Sequence, residues 1–300
     1  MMPKIETVAI AGASGTLGPH VLQALVNAGF QVSVLTRSQK PGAYASNIKV
    51  FEVDFNSVKS LTAALEGVDA VVSTVAGAAV DNQTVLIDAA VAAGVKRFIP
   101  SEFGNVTTNP KLESFPLYSS MFKIRKYLQE KTAAGELSWT VLACGAFMDP
   151  IWSTPVFLDF QNHTATLLDE GDNRISSTSL TVVGSAIVAI LQNLDATRNR
   201  VIRVSEAILT QNQLIGFAKE LRPDIAWRTS KEQTSVLLQE SLEQFGAGDF
   251  SMPAFMKLMK GTALAGDTYG SAFDVTDNEL LGIRELAPAD VKKLVAEKLA

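Results

Sequence analysis

Residues 7–28 read Thr7-Val8-Ala9-Ile10-Ala11-Gly12-Ala13-Ser14-Gly15-Thr16-Leu17-Gly18-Pro19-His20-Val21-Leu22-Gln23-Ala24-Leu25-Val26-Asn27-Ala28. A short apolar strand, Thr7 to Ile10, runs into a turn with three glycines, and an apolar helix, Val21 to Ala28, follows. This context makes the turn a nucleotide-binding one. Gly12 permits the tight exit from the strand, Gly15 lets backbone N–H groups approach a pyrophosphate, and Gly18 lets the helix pack closely on the sheet. Phosphates would then sit on the helix N-terminus, with Ser14, Thr16 and Leu17 completing the cradle. The spacing is G-x-x-G-x-x-G rather than the G-x-G-x-x-G of dehydrogenases. Position at the first strand–helix junction therefore carries the reading, more than the glycines themselves.

The second strand, Gln31 to Leu35, ends in Thr36-Arg37-Ser38-Gln39-Lys40. A chain selective for NAD usually places Asp or Glu here, to bond the ribose 2′-hydroxyl. No carboxylate is present. Arg37 instead offers a planar fork to a 2′-phosphate, with Lys40 as a second cation, so NADP is favoured over NAD.

The alternation continues: strand Ile48 to Val53, helix Val58 to Leu65, strand Ala70 to Val75, helix Thr84 to Ala93 closed by Gly94, then strands Lys96 to Pro100 and Trp139 to Cys144. Apolar runs of four to six residues between helical periods imply parallel strands buried on both faces. The expected fold is α/β, a doubly wound parallel sheet of the Rossmann, NAD(P)-binding kind in strand order 3-2-1-4-5-6, with a smaller C-terminal substrate lobe. The boundary is expected near residue 150, giving an NADP-binding domain over 1–150 and a substrate-binding lobe over 151–300, with segments near 174–206 returning to the first domain. Ligands bind beyond the carboxyl ends of such strands. Besides the first two tips, this nominates Asp54 and Phe55, Thr74, Val75, Ala76 and Gly77, and Ser101 and Phe103.

The chain has 300 residues, 47% hydrophobic, with net charge −5. That balance lacks the basic footprint of a nucleic-acid binder. Cys144 is the sole cysteine, and His20 and His163 are the only histidines. An intrachain disulfide is thus impossible, and zinc or Ser-His-Asp hydrolysis is disfavoured; no metal site is expected. There is no secretory-type leader pattern and no apolar run long enough to span a bilayer, so a cytoplasmic protein without membrane contact is expected. Monomer and homodimer remain equally open.

Beyond Phe147 the pattern becomes irregular. Thr164 to Leu168 and Arg174 to Ser177 read as a hairpin around the acidic turn Asp169 to Asn173. Leu180 to Leu194 and Gln213 to Leu221 read as helices, and Val201 to Val204 as a strand that could rejoin the sheet. Gly246-Ala247-Gly248 marks a flexible boundary before a Met- and Phe-rich helix, 252–259, which reads as core or as an adaptable apolar site. Pro288 starts a terminal helix.

Four blocks give the chain a family resemblance: Gly12 to Gly18; Val34-Leu35-Thr36-Arg37; Gly67-Val68-Asp69-Ala70-Val71-Val72-Ser73-Thr74-Val75; and, most specific, Arg97-Phe98-Ile99-Pro100-Ser101-Glu102-Phe103-Gly104. The chain resembles the NmrA-like, isoflavone-reductase-like branch of the atypical short-chain dehydrogenases, related to phenylcoumaran benzylic ether and pinoresinol reductases. The resemblance spans nearly the whole length. It implies that Lys123, in Phe122-Lys123-Ile124-Arg125, is the active-site lysine and binds beside the cofactor, and that Phe147 lies by the nicotinamide. It further implies NADPH-dependent hydride transfer to a small apolar metabolite, aromatic or polyketide- or alkaloid-like, with Lys123 as acid and base.

Two features depart from the related patterns. Tyr118 precedes Lys123 by five residues, not the four of Y-x-x-x-K, which puts the pair on different helix faces unless the helix starts after Tyr118. Tyr127 stands where benzylic ether reductases carry an arginine, which argues against their substrates. Glu102 is read as a cofactor-positioning or loop-holding residue. Set against the reductase are a non-catalytic dinucleotide sensor of the NmrA type, a redox-neutral isomerase or cyclase that retains NADP, and an interaction scaffold without nucleotide.

Overall fold

A computed structural model describes residues 4–39 and 42–299. In chain order its elements are β1 (Thr7–Ala11), α1 (Gly18–Asn27), β2 (Gln31–Thr36), β3 (Lys49–Glu52), α2 (Val58–Ala64), β4 (Ala70–Ser73), α3 (Gln83–Ala92), β5 (Arg97–Ile99), α4 (Ser119–Ala133) and β6 (Ser138–Ala143). There follow β7 (Ala146–Phe147), α5 (Met148–Ser153), β8 (Thr164–Leu168), β9 (Ile175–Thr178), α6 (Leu180–Gln192), β10 (Arg200–Arg203), β11 (Ala207–Leu209) and α7 (Gln211–Leu221). The last are β12 (Arg228–Glu232), α8 (Thr234–Gly246), α9 (Met252–Gly261), α10 (Asn278–Leu281) and α11 (Pro288–Leu299).

The main sheet has the order β3-β2-β1-β4-β5-β6-β10, and the pairs from β3 to β6 are parallel. The expected order 3-2-1-4-5-6 holds, and the 201–204 segment does rejoin the sheet beside β6. Successive residues of β1 explain the burial. Ala9 and Ala11 join a cluster with Leu61, Leu86, Ile87 and Leu128 of α2, α3 and α4, whereas Val8 and Ile10 are equally buried but outside it. Both pleat faces are therefore covered, as the apolar runs require. On α1 the covering is close, because a Cβ added to Gly184 of α6 would lie 2.8 Å from the His20 carbonyl oxygen.

The chain forms two compact units of nearly equal length. The first comprises residues 1–103, 120–142 and 180–202, the second 104–119, 143–179 and 203–300. A break at 150 had been expected, with return only near 174–206. The chain instead passes between units five times, because the segments that follow β5, β6 and β10 all belong to the second unit.

The second unit corrects one expectation. β8 and β9 do not form a hairpin: β8 pairs in parallel with β12, while β9 pairs with β11 and β7. The acidic turn between them is a junction between two sheets. Asp169 adopts φ +54 and its carboxylate accepts from the Thr234 N–H and hydroxyl and from the Asn173 amide, at 2.8–2.9 Å. These bonds outweigh burial, which acts the other way, and hold its pKa down. The Gly246–Gly248 segment joins two helices packed on each other, α8 and α9, rather than separating domains. On α9 Ala254 and Leu258 are buried, Met256 is half-buried, and Met252 and Met259 are exposed, so the core side of the helix is formed by Ala254 and Leu258.

Candidate functional site

The glycine turn divides its work unequally. Gly12 has φ +89, and a Cβ there would lie 2.7 Å from the Thr74 carbonyl carbon. A left-handed residue at this close approach must be glycine. Gly18 is filled from below, since its Cβ would lie 2.2 Å from the Gly12 carbonyl oxygen and 2.6 Å from Ala13 backbone. Its expected role in helix–sheet packing is thus corrected: it lets the first helical turn close against the loop itself. Gly15 differs. Its N–H donates to the Gly12 oxygen at 3.0 Å, and a Cβ there would meet that oxygen only at 3.4 Å. The fold leaves room for a Cβ at Gly15.

Ser14, Gly15 and Thr16 are exposed while Leu17 is buried beneath them. Leu17 is the N-cap of α1 and offers no side-chain oxygen, and no acidic residue stands in the first turn. Pro19 has no N–H and the His20 N–H donates to the Leu17 carbonyl at 3.1 Å, so of the first three helical positions only Gly18 keeps an N–H with no partner within the turn, at the positive end of the helix.

Arg37 follows directly on β2 and is exposed, with no carboxylate partner among the described residues. Its loop is held from below, with the Gln39 amide donating to the Val50 carbonyl at 2.7 Å and the Gln39 N–H to Glu52 at 3.0 Å. Lys40 lies outside the described residues. Asp54 is exposed and caps its own turn through the Asn56 N–H, while Phe55 is half-buried against the core.

The tips of β1, β4 and β5 are laced together. The Thr74 N–H and hydroxyl both donate to the Ala11 oxygen, at 2.8 and 3.0 Å. The Ser101 hydroxyl donates to the Val75 oxygen at 2.5 Å, and its N–H donates to Gln83 Oε1 at 2.8 Å. Ala76 and Gly77 are exposed beyond this lacing, and Phe103 is half-buried. Gln83 is a residue that sequence reasoning missed. It opens α3 and is buried, yet in sequence it reads as an ordinary helix former.

α4 carries the lysine. Ile124 and Leu128 form its buried stripe, and Lys123 is exposed, without a hydrogen-bond or ion-pair partner among the described residues. On either flank of the stripe the helix is pinned. Tyr127 donates to Asp88 at 2.5 Å, with Lys131 on the same carboxylate at 3.0 Å, and Arg125 pairs with Glu102 at 3.3 Å. Tyr127 is therefore a staple between α3 and α4, and burial together with Asp88 raises its pKa.

Tyr118 is not a partner for Lys123. α4 begins at Ser119, so the residue precedes the helix, and its phenol is committed to Thr262 at 2.6 Å inside the second unit. The Thr262 hydroxyl donates to the Leu258 carbonyl, which leaves Tyr118 as the donor. Burial pushes Tyr118 up to about 12, against the pull of Thr262. Phe147 also lies in the second unit, half-buried on β7.

Residues 4–234 match the model of the NmrA-like family. The chain belongs to the NmrA-like family. Oxidoreductase aprR of Aspergillus flavus is 30% identical over 92% of this chain and 94% of its own length. Among solved structures, AtPrR2 with NADP+ and (+)pinoresinol superposes with a TM-score of 0.73 at 22% identity, covering 93% of each chain. A ternary complex of leucoanthocyanidin reductase from Vitis vinifera gives 0.75 at 19% identity, over 98% of this chain and 99% of that one. These likenesses place the Rossmann-like sheet in an NmrA-like setting. No helix of the described residues is long and apolar enough to cross a membrane, and no cluster of three or more His, Cys, Asp or Glu among them could hold a metal ion.

Proposed function

We propose that this protein is an NADPH-dependent reductase of a small apolar, aromatic or polyketide- or alkaloid-like metabolite. The reading is carried by Arg37, exposed at the tip of β2 without a carboxylate partner among the described residues, beside a glycine turn whose middle glycine the fold itself leaves room to replace. A phosphate-bearing dinucleotide fits both: pyrophosphate on the N-terminus of α1 and a 2′-phosphate on the guanidinium. The names of the relatives, oxidoreductase and reductase, support the class. When bound, the reduced nicotinamide supplies the hydride. Lys123 would hold the proton that neutralises charge on the acceptor, as an exposed ammonium on the helix that follows β5. Calorimetric titration tests the cofactor. Replacing Arg37 by Ala should weaken NADPH about 10- to 100-fold, the loss of roughly 1.5–3 kcal/mol from a charge-assisted contact, and leave NADH almost unmoved. Equal affinity of the unmutated protein for the two cofactors would overturn the assignment.

A further inference from the structure

Glu102 is 2% exposed and Arg125 12%, at 3.3 Å from each other. A carboxylate so deeply buried is costly unless paired, and even a paired one stabilises a fold weakly compared with apolar residues of the same volume. Such pairs are retained in several proteins because they fix one arrangement among several that packing alone would allow. What this pair fixes is legible from its neighbours. Glu102 follows Ser101, whose backbone and hydroxyl are clamped by Gln83 and Val75 at 2.8 and 2.5 Å. Gln83 in turn donates to the Val80 carbonyl, so the loop after β5 is tied to the loop after β4 at three points. At the other end, the Arg125 guanidinium lies 4.5 Å above the Phe122 ring, in the turn that holds Lys123.

We propose that Glu102 and Arg125 are positioning residues: their buried pair sets the rotation and register of α4 on the β5 tip and so places the Lys123 ammonium at the cofactor edge. The pair has a reason to exist that packing does not supply. The buried stripe of α4 offers only Ile124 and Leu128, and the Tyr127 bond to Asp88 pins the opposite flank, so these contacts leave the flank beside the β5 tip free to turn by a fraction of an ångström. A charge pair on the flank does not. Misplacement of a reacting group by about 1 Å costs on the order of 10²-fold in rate, so such a restraint is worth its desolvation. The inference rests on the reading of Lys123 as the cofactor-side proton carrier.

The test reads Lys123 itself, without a substrate. The protein, with and without NADP+, is acetylated by acetic anhydride across a pH series, and modification of Lys123 is followed by mass spectrometry. In the unmutated protein NADP+ at about ten times its Kd or more should slow modification of Lys123 by about tenfold, because only ligand-free molecules leave the amine uncovered to the reagent. Glu102→Gln should lose most of that protection while binding NADP+ within about threefold, because the phosphates are held on other elements. The combined Glu102→Leu, Arg125→Met variant guards against mere unfolding: an apolar pair should keep the melting temperature and still lose the protection. Full protection of Lys123 in both variants would overturn the positioning role. Absence of protection in the unmutated protein would remove Lys123 from the cofactor edge, and the proposal with it.

Discussion

Lys123 separates an enzyme from a sensor because its only assigned task is chemical. It is exposed on α4, away from the buried stripe, so truncation removes no packing. Lys123→Ala should leave stability and NADPH affinity within a few fold, yet lower single-turnover hydride transfer by roughly 10² to 10⁴, the range for loss of a general acid–base group. The readout is decay of reduced-nicotinamide absorbance with a hit from a panel of conjugated carbonyls, imines and phenolic ethers. A hit reduced equally fast by the variant would take Lys123 out of the mechanism, and no hit at all would favour a dinucleotide sensor. Tyr118 cannot substitute, since its phenol is buried and donates to Thr262. The sequence left that point open, because the five-residue offset could be judged only once the start of α4 at Ser119 was known.

At the scale of elements, two residues of the family-specific blocks hold strands together. Arg97 of β5 is fully buried, and its guanidinium donates to the hydroxyls of Ser138, Thr140 and Thr197 and to the Leu194 carbonyl, at 2.6–3.0 Å. Burial pushes it down to about 10, which leaves it charged at neutral pH. Arg97→Ala should cost on the order of 3–5 kcal/mol in urea denaturation, and Arg97→Lys should not rescue it, because an ammonium cannot reach acceptors arranged for a planar fork. Asp69 does the same at the centre of the sheet, between β1, β4 and β5. Its carboxylate takes the N–H groups of Glu6 and Thr7 and the Lys96 ammonium, at 2.5–3.0 Å. Burial alone would raise the Asp69 carboxyl, but Lys96 and these N–H donors outweigh it and hold the group at about 2, against an ordinary 3.8. A depressed folded-state pKa stabilises above the ordinary value, and this share is lost as pH falls from about 4 towards 2. Asp69→Asn should therefore be less stable than the unmutated protein at neutral pH, with the difference shrinking over that window. A pH-independent difference would show that Asp69 acts through shape alone.

Over the whole molecule, the sheet order was legible because the inner parallel strands are buried on both faces and read as apolar runs, as Val8 to Ala11 does, while the edge strand β3 is mostly exposed. The second unit was less so, because its sheets pair strands distant in sequence, β8 with β12 and β9 with β11, and local turn chemistry at Asp169 mimics a hairpin. The candidate site was legible where backbone geometry demands a residue type, as at Gly12, and illegible where one buried amide, Gln83, does the holding. The same asymmetry yields a test of cofactor linkage. A ligand that binds only the folded state stabilises it by RT ln(1 + [L]/Kd), about 2.7 kcal/mol at a hundredfold excess over Kd, and so raises the melting temperature. Gly15 lacks a positive φ, and its Cβ would meet nothing closer than 3.4 Å, so Gly15→Val should melt like the unmutated apo protein. With NADPH present its melting temperature should stay where it was, because the valine fills the space on which a pyrophosphate would rest. Gly18→Ala should behave in the opposite way. Its methyl collides with the Gly12 oxygen at 2.2 Å, so the apo protein should lose stability by about 1–3 kcal/mol, the usual cost of overpacking. Paired thermal scans with and without saturating NADPH measure both. A Gly15→Val protein still raised normally by NADPH would show that the dinucleotide does not rest on this turn.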